Sequence, residues 1–163
     1  MIQLKNAVKI YGQGTAQTRA LNGVNFQVAR GEFVAVMGPS GSGKSTLLHI
    51  IGCLDGLTEG SFLLDGQELY GKKERELHKY RKKYISYVFQ DFALMEDYTI
   101  QENIEFPLEI QNVPRRERHK RQRRILKKLK IEEIASKYPS QCSGGQKQRA
   151  AIARAFTADT PIF

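Results

Sequence analysis

Apolar and polar residues alternate over the first eleven positions of the chain, which is the pattern of a half-buried β-strand. The apolar positions of this stretch are Ile2, Leu4, Val8 and Ile10. A short turn rich in glycine separates it from a second strand pattern over residues 20–28. The chain therefore begins with two predicted strands joined by a turn.

Apolar runs farther along the chain predict buried strands, and longer amphipathic stretches predict helices. Strands are predicted at residues 33–37, 61–64 and 85–89, the last ending at Gln90. Helices are predicted at residues 45–51, 72–83, across most of 100–135, and from Ser143 to Thr157. Pro107 and Pro114 are expected to interrupt the long helical stretch, because proline lacks the N–H that continues a helix.

Between the strand at 33–37 and the helix at 45–51 lies a sequence that fits the phosphate-binding pattern G-x-x-x-x-G-K-[ST]. A strand, a glycine loop and a helix in this order direct backbone N–H groups and the positive end of the helix dipole at one point. Lys44 would add a mobile charge for the β- and γ-phosphates, and the Ser45 hydroxyl would bind Mg²⁺. The predicted nucleotide-binding residues are Gly38, Pro39, Ser40, Gly41, Ser42, Gly43, Lys44, Ser45 and Thr46.

The composition is that of one soluble globular domain. The 163 residues are 40% hydrophobic and 26% charged, which is ordinary for a chain that folds around a single core. No apolar stretch reaches the length that crosses a bilayer and no signal-sequence pattern opens the chain, so a cytosolic location is predicted. Cys53 and Cys142 form neither a metal-ligand spacing nor a disulfide framework, and both are interpreted as small apolar packing residues.

The net charge of +9 is concentrated in one segment. Residues 115–130 contain ten Lys/Arg and a single acidic residue, Glu117, so that the charges of the remaining chain balance. Apolar side chains at Ile125, Leu126 and Leu129 mark one side of a helix there. We interpret the segment as a helix with a solvated basic face and one buried stripe. Contact with anionic lipid headgroups or nucleic acid is the alternative interpretation.

A second glycine motif, Ser143-Gly144-Gly145-Gln146, stands at the start of the last predicted helix. Two unencumbered N–H groups, a hydroxyl and a helix N-terminus again favour an anion. The two motifs lie about a hundred residues apart in the sequence. Either both contact one ligand, or each takes half of a ligand that is shared with another subunit.

These two motifs together resemble the nucleotide-binding domain of ATP-binding-cassette (ABC) transporters, and the resemblance extends over essentially the whole chain. Residues 38–45 are similar to the Walker A loop, and residues 142–146 to the family signature Leu-Ser-Gly-Gly-Gln. The resemblance implies ATP and Mg²⁺ as ligands, with Tyr11 stacking on adenine and Gln90 contacting Mg²⁺ and the attacking water. It makes Lys44 and Gln90 the predicted catalytic residues, and Ser45 and Gln90 the predicted metal contacts.

The resemblance also implies an architecture and partners. The fold is expected to be α/β: a P-loop core formed by residues 1–91 and 150–163, with an antiparallel β portion near the N-terminus and a helical subdomain at 92–149. A second ATP-binding subunit would place its signature motif over the ATP of this one. Transmembrane permease subunits would contact residues 90–114, which keeps the protein at the inner face of the membrane, and no nucleic-acid partner is expected. At the level of individual residues, the sequence resembles the group that serves lipoprotein release, macrolide export and antimicrobial-peptide resistance.

Two departures from the family pattern bear on activity. Cys142 stands where the signature has leucine, which retains an apolar side chain of smaller volume. Residues 160–163 resemble the first residues of the Walker B strand, so we expect a truncated sequence whose Mg²⁺-orienting aspartate and water-positioning glutamate lie beyond it. This chain is accordingly expected to hold ATP better than it hydrolyses it. The alternatives are an ABC protein that acts on nucleic acid or ribosomes, and a non-hydrolysing regulatory module.

Overall fold

The computed structural model describes all of residues 1–163. It contains four strands and five α-helices, besides three short 3₁₀ turns at Gly14–Ala16, Glu132–Ile134 and Pro139–Gln141. The strands are β1 (Ile2–Tyr11), β2 (Thr18–Val28), β3 (Glu59–Leu64) and β4 (Gln67–Glu68). The helices are α1 (Lys44–Ile51), α2 (Glu74–Tyr84), α3 (Ile100–Ile110), α4 (Arg115–Lys128) and α5 (Gly144–Thr157). This mixture of strands and helices confirms the predicted α/β class.

The four strands form one antiparallel sheet in the order β2-β1-β3-β4. In β1, one of the two inner strands, Ile2 and Leu4 are buried, as the alternating sequence pattern predicts. Ile2 pairs with Val28 of β2 on one side and with Leu64 of β3 on the other. The predicted antiparallel β portion near the N-terminus is therefore confirmed.

The chain divides into two compact units, Met1–Arg81 and Lys82–Phe163. The boundaries at residues 91 and 150 that the family resemblance suggests stay a prediction. In the first unit, apolar residues of the sheet and of α1 form the buried core: Ile2, Leu4, Leu21, Leu47, Ile50, Phe62 and Leu64. In the second unit, α3, α4 and α5 share a core with the turn that follows α4: Ile100, Ile104, Leu126, Ile131, Ile134, Ala150 and Ala153.

Residues 33–37 do not form the buried strand that their apolar run predicts. They are assigned to no strand, and Phe33 and Met37 are 97% and 89% exposed. A strand exists only where a neighbouring strand accepts its backbone hydrogen bonds, and none lies beside these residues. The prediction from hydrophobicity alone was wrong here, because apolar character does not supply the pairing partner.

Residues 85–89 also fall short of the predicted strand, although one backbone pairing is present. Ile85 forms a parallel bridge with Ile162, and Ser86 donates its N–H to the Ile162 carbonyl at 2.8 Å. The ladder stops there, and Phe89 is 36% exposed. The predicted buried strand ending at Gln90 is therefore reduced to a single bridge.

Pro107 does not interrupt the helix in which it lies. Helix α3 runs without a break from Ile100 to Ile110. A proline inside a helix costs about 3 kcal/mol, but Ile104 and Leu108 are both fully buried, and their packing outweighs that cost. Pro114 behaves as predicted, since α4 begins directly after it. No helix of the chain has both the length and the apolar character needed to cross a membrane.

Candidate functional site

The phosphate-binding motif forms an exposed loop that ends at the first turn of α1. The cap residue of this helix, Gly43, makes no side-chain hydrogen bond, and the first intrahelical bond runs from the Leu47 N–H to the Gly43 carbonyl at 2.8 Å. The N–H groups of Lys44, Ser45 and Thr46 consequently have no acceptor within the helix. Three such donors at the positive end of a helix dipole suit a phosphate group.

Gly43 is required by the packing of the first unit itself. Its φ of +86° lies in the left-handed region, where a side chain is strained. A Cβ added there would also stand 2.4 Å from the Ala20 carbonyl oxygen of β2, far inside contact distance. The loop is thus seated directly against the backbone of a strand, which fixes where its amides are.

Lys44 spans the loop with its side chain. Its Nζ donates to the carbonyls of Gly38 at 2.9 Å and Pro39 at 2.6 Å, and approaches the Ser42 hydroxyl at 3.4 Å. The ammonium charge is therefore held beside the exposed amides at the start of α1. Ser45, the next residue, is exposed. The structure brings the predicted residues of the loop together at the start of α1, and their role in binding nucleotide stays a prediction.

Tyr11, the predicted adenine contact, lies at the end of β1 and is 39% exposed. Its hydroxyl donates to Asp55 Oδ2 at 2.8 Å, and the Lys9 ammonium lies 4.9 Å from the centre of its ring. Burial and the bond to Asp55 raise the pKa of the Tyr11 hydroxyl, while a side-chain hydrogen bond with Thr46 opposes the rise. Because Thr46 belongs to the first turn of α1, the Tyr11 hydroxyl lies next to the phosphate loop.

Lys9 and Asp55 are not among the residues that the sequence predicted. Lys9 Nζ contacts Asp55 Oδ1 at 2.6 Å and donates to the Gly56 carbonyl at 2.7 Å. The available signal was that Lys9 precedes Tyr11 by two positions, which places both side chains on one face of a strand. Asp55, within an Asp-Gly pair, predicts a turn and nothing more specific.

Gln90 lies in the second unit, exposed, at a turn rather than at the end of a strand. The residues that follow it include Phe92 and Ala93, whose φ values of 67° and 44° are unusual for side chains other than glycine. Arg154 of α5 donates to both of their carbonyls, at 2.9 Å and 2.6 Å. This arginine was not predicted, and it connects the helix of the signature motif to the segment after Gln90.

The signature residues begin α5 with a capping box. The Ser143 hydroxyl accepts from the Gln146 N–H at 3.3 Å, and the Gln146 side chain accepts from the Ser143 N–H at 2.9 Å. Gly144 and Gly145 are exposed, and a Cβ added to either would meet no other atom within 4 Å. Nothing inside this chain explains why both positions are glycine.

Cys142, directly before this motif, is partly buried against the core of the second unit. Burial raises the pKa of its thiol, although Lys137 and Lys147 act in the opposite direction. The interpretation of Cys142 as an apolar packing residue is confirmed. A thiol with a raised pKa is a poor nucleophile at neutral pH.

Helix α4 carries most of its charges on the side away from the core. Gln122 and Leu126 are buried, while Arg118 pairs with Glu105 at 2.7 Å and Arg121 with Glu117 at 2.9 Å. The exposed basic residues are Arg115, Arg116, Lys120, Arg123, Arg124, Lys127 and Lys128. This arrangement confirms the predicted amphipathic helix with one buried stripe.

Comparison with known proteins agrees with these two motifs. Residues 21–163 match the ABC transporter family. The bacitracin export ATP-binding protein BceA of Halalkalibacterium halodurans is 41% identical over 163 residues, which are 100% of this chain and 64% of that protein. The methionine import ATP-binding protein MetN of Escherichia coli is 43% identical, with 100% of this chain and 47% of that protein covered.

A solved structure shows the same fold. It is the dimeric post-hydrolysis state of the ATP-binding cassette MJ0796, bound to ADP and Pi, from Methanocaldococcus jannaschii. It shares 45% identity with this chain at a TM-score of 0.91, covering 99% of this chain and 72% of that one. This chain spans roughly half to two thirds of the two curated transport proteins. It belongs to the ABC transporter family, and the relatives that it matches are ATP-binding proteins of that family.

Proposed function

We propose that this protein is the ATP-binding subunit of a membrane ABC transporter, in which ATP binding and hydrolysis drive transport through separate transmembrane subunits at the inner face of the membrane. The observation that carries the proposal is the loop at residues 38–45, where Lys44 spans an exposed set of amides at the start of α1. One relative named for export and one named for import are similar to this chain at nearly equal identity. The proposal therefore concerns the energy-coupling role that both directions of transport need.

Within the first unit, we assign the nucleotide as follows. The phosphates contact the loop amides and Lys44, and the base stacks on Tyr11. No group of three His, Cys, Asp or Glu side chains could hold a metal ion alone, which fits a Mg²⁺ held largely by phosphate oxygens and water. Ser45 would supply a hydroxyl to that ion when it is bound. The role of Gln90, which lies in the second unit, stays a prediction from the family resemblance.

The signature motif is proposed to serve the nucleotide of a second ATP-binding subunit. Gly144 and Gly145 leave open space at the start of α5, and backbone amides without side chains allow close approach of a phosphate. MJ0796, which is similar to this chain, is a dimer in its ADP-bound structure. Two copies of such a chain, or two related chains, would each complete the site of the other.

The contact with the transmembrane subunits is proposed for residues 90–114. This segment contains the two consecutive positive-φ residues Phe92 and Ala93, held by Arg154. Charge reversal within residues 91–97 should abolish membrane recruitment while leaving ATP binding intact. Unchanged recruitment and transport would exclude this segment as the contact.

The test of the proposal compares Lys44→Ala with Lys5→Ala, a control that removes an exposed lysine of β1. Binding of ATP and Mg²⁺-dependent phosphate release are measured by calorimetry and by a phosphate assay. We expect binding to weaken at least tenfold in Lys44→Ala and not in the control, since a charged hydrogen bond to phosphate contributes about 1.5–3 kcal/mol. Equal binding by both variants would contradict the assignment of the loop. Phosphate release by the unmodified protein that is lost in Lys44→Ala would exclude the non-hydrolysing regulatory module.

A role on nucleic acid is the second candidate, and the exposed basic face of α4 is the observation that favours it. Its test is the binding of RNA and DNA fragments over a range of salt concentrations, with Arg116, Lys120 and Arg123 changed to glutamine. A specific role requires an affinity that survives physiological salt and is lost in this variant. We expect only weak binding that disappears as salt rises, which would support the transporter assignment.

A further inference from the structure

Two charged residues surround Tyr11 in a way that the proposed function does not yet use. We propose that Lys9 and Asp55 are positioning residues that fix the Tyr11 ring at the nucleotide base and tie it to the phosphate loop. The inference rests on the proposed function, because it takes Tyr11 as the base contact. It adds two residues, neither of which belongs to the Walker A or signature motif.

The Tyr11 ring is held at two points. Lys9, two residues earlier on β1, places its ammonium 4.9 Å from the ring centre, within the range of a cation–π contact. The hydroxyl at the other end of the side chain donates to Asp55 at 2.8 Å. A tyrosine side chain has few rotatable bonds, so one contact at the ring and one at the hydroxyl are enough to select an orientation.

Asp55 joins this ring to the helix that carries the phosphate loop. Its carboxylate binds Lys9 with one oxygen and Tyr11 with the other, at 2.6 Å and 2.8 Å. Its backbone N–H donates to the His49 carbonyl of α1 at 3.3 Å. The base contact and the phosphate contacts are thereby linked through one helix of eight residues. An orientation set before ATP arrives reduces the ordering cost of binding.

The ion pair of Lys9 and Asp55 is partly shielded from solvent, which allows it to hold the Tyr11 side chain in place. The side chains of Lys9 and Asp55 are 13% and 30% exposed, so their attraction is less screened than that of an exposed surface pair. Tyr11 remains 39% exposed, which leaves part of its surface for a base. The three side chains thus form a fixed group with an open side.

The experiment measures binding of two probes to the protein by calorimetry: the β,γ-imido analogue of ATP, and inorganic tripolyphosphate, which has no base. The variants are Lys9→Met, Asp55→Asn, Tyr11→Phe and Tyr11→Ala. We expect Tyr11→Ala to weaken the ATP analogue by roughly 5- to 150-fold, the range for loss of one stacked base. Lys9→Met and Asp55→Asn should weaken it by about two- to tenfold, and Tyr11→Phe by a smaller factor. Tripolyphosphate binding should change in none of them.

Lys5→Met and Asp65→Asn are the matched controls, since each removes the same charge from an exposed position of the same unit. The inference is overturned if Lys9→Met and Asp55→Asn bind the ATP analogue as tightly as the unmodified protein does. It is also overturned if they lose tripolyphosphate binding in equal measure, because the residues would then support the loop generally and not the base contact. Two other results would instead count against the proposed function. One is that Tyr11→Ala binds the ATP analogue as tightly as the unmodified protein does, and the other is that the unmodified protein does not bind tripolyphosphate.

Discussion

The two glycine motifs of this chain both begin helices, yet they differ in what their glycines do. At α1 the helix has no side-chain cap, and Gly43 is required because a Cβ would strike the Ala20 carbonyl at 2.4 Å. At α5 the capping box of Ser143 and Gln146 satisfies the helix start, and Gly144 and Gly145 face open space. The phosphate loop is thus built by its own unit. The signature motif, by contrast, caps its helix with side chains of its own. Its two glycines are not required by any neighbour within the chain, so only a group from outside the chain would explain them.

Gly43→Ala provides the largest expected effect and tests the first half of this comparison. A left-handed backbone costs a side chain about 1–2 kcal/mol, and the contact with the β2 backbone adds a cost that a well-packed structure cannot relax cheaply. We expect a loss of about 3 kcal/mol or more in the free energy of unfolding, with loss of ATP binding. Urea unfolding and calorimetry measure these quantities. A stable variant that binds ATP normally would show that the loop is not held by β2.

Arg154→Met tests how the signature helix is attached to the segment after Gln90. Removing the guanidinium leaves the carbonyls of Phe92 and Ala93 without their donor, which we expect to cost about 1.5–3 kcal/mol of stability. Hydrogen exchange should speed up at residues 92–95. Arg149→Met, which removes an exposed arginine of the same helix, is the control and should change stability by less than about 0.5 kcal/mol. Equal effects of the two variants would reduce Arg154 to an ordinary surface residue.

Gly144→Ala should act in the opposite direction to Gly43→Ala, and the contrast in sign is the sharpest test of the comparison. Alanine in the first turn of α5 meets no neighbour and reduces the entropy of the unfolded chain, so stability should rise by about 0.4–1 kcal/mol. ATP binding by the single chain should not change. ATP-dependent dimerisation should weaken, since the new methyl group occupies space kept for the partner's nucleotide. A variant that loses stability, or one that dimerises with ATP as readily as the unmodified protein, would contradict the external role of this glycine.

The sequence predicts local structure well where the signal itself is local. The bounds of β1 were predicted from alternation, and the starts of α1 and α5 from their motifs, because capping, glycine conformation and burial period act within a few residues. Residues 33–37 were misassigned because a strand depends on a partner elsewhere. Asp55 and Arg154 were missed for the same reason, since the side chains that Asp55 binds and the carbonyls that Arg154 binds lie 44 or more positions away in the sequence. Such contacts leave no periodic pattern to find.

The contacts among Lys9, Asp55 and Tyr11 also predict that stability depends on pH through a group of the first unit. Burial raises the pKa of the Asp55 carboxyl, but the hydrogen bonds from Lys9, Tyr11 and the Gly56 N–H outweigh it, and the net pKa is lowered. A lowered folded-state pKa contributes stability above the unfolded-state value of about 3.9, and this contribution disappears as the pH falls through the folded-state value. Asp55→Asn should therefore be less stable than the unmodified protein at pH 7, with a difference that shrinks below about pH 4. A difference that is constant with pH would show that the carboxylate charge is not what stabilises this cluster.

The two cysteines offer the test with the smallest expected effect, because one lies close to each of the two motif-bearing helices. Cys53 follows α1 and is fully buried, and burial raises the pKa of its thiol to about 11, whereas Cys142 precedes the signature and is only partly buried. At pH 7.5 the folded protein should contain about a hundredfold or more less Cys53 thiolate than an unfolded chain. A thiol reagent should accordingly label Cys53 only on unfolding and Cys142 slowly in the native state, with Cys53→Ser and Cys142→Ser assigning the two phases.

Addition of ATP then separates the two regions by kinetics. If a second subunit closes over the signature motif, labelling of Cys142 should slow under conditions that favour the dimer, while the unfolding-dependent labelling of Cys53 should reflect only the stability gained from bound nucleotide. The Gly144→Ala variant supplies the control, since it should bind ATP without protecting Cys142. Equal protection of Cys142 in the unmodified protein and in Gly144→Ala would mean that ATP acts on the signature region within one chain. The proposed difference between a phosphate loop built by its own unit and a signature motif completed by a second subunit would then be wrong.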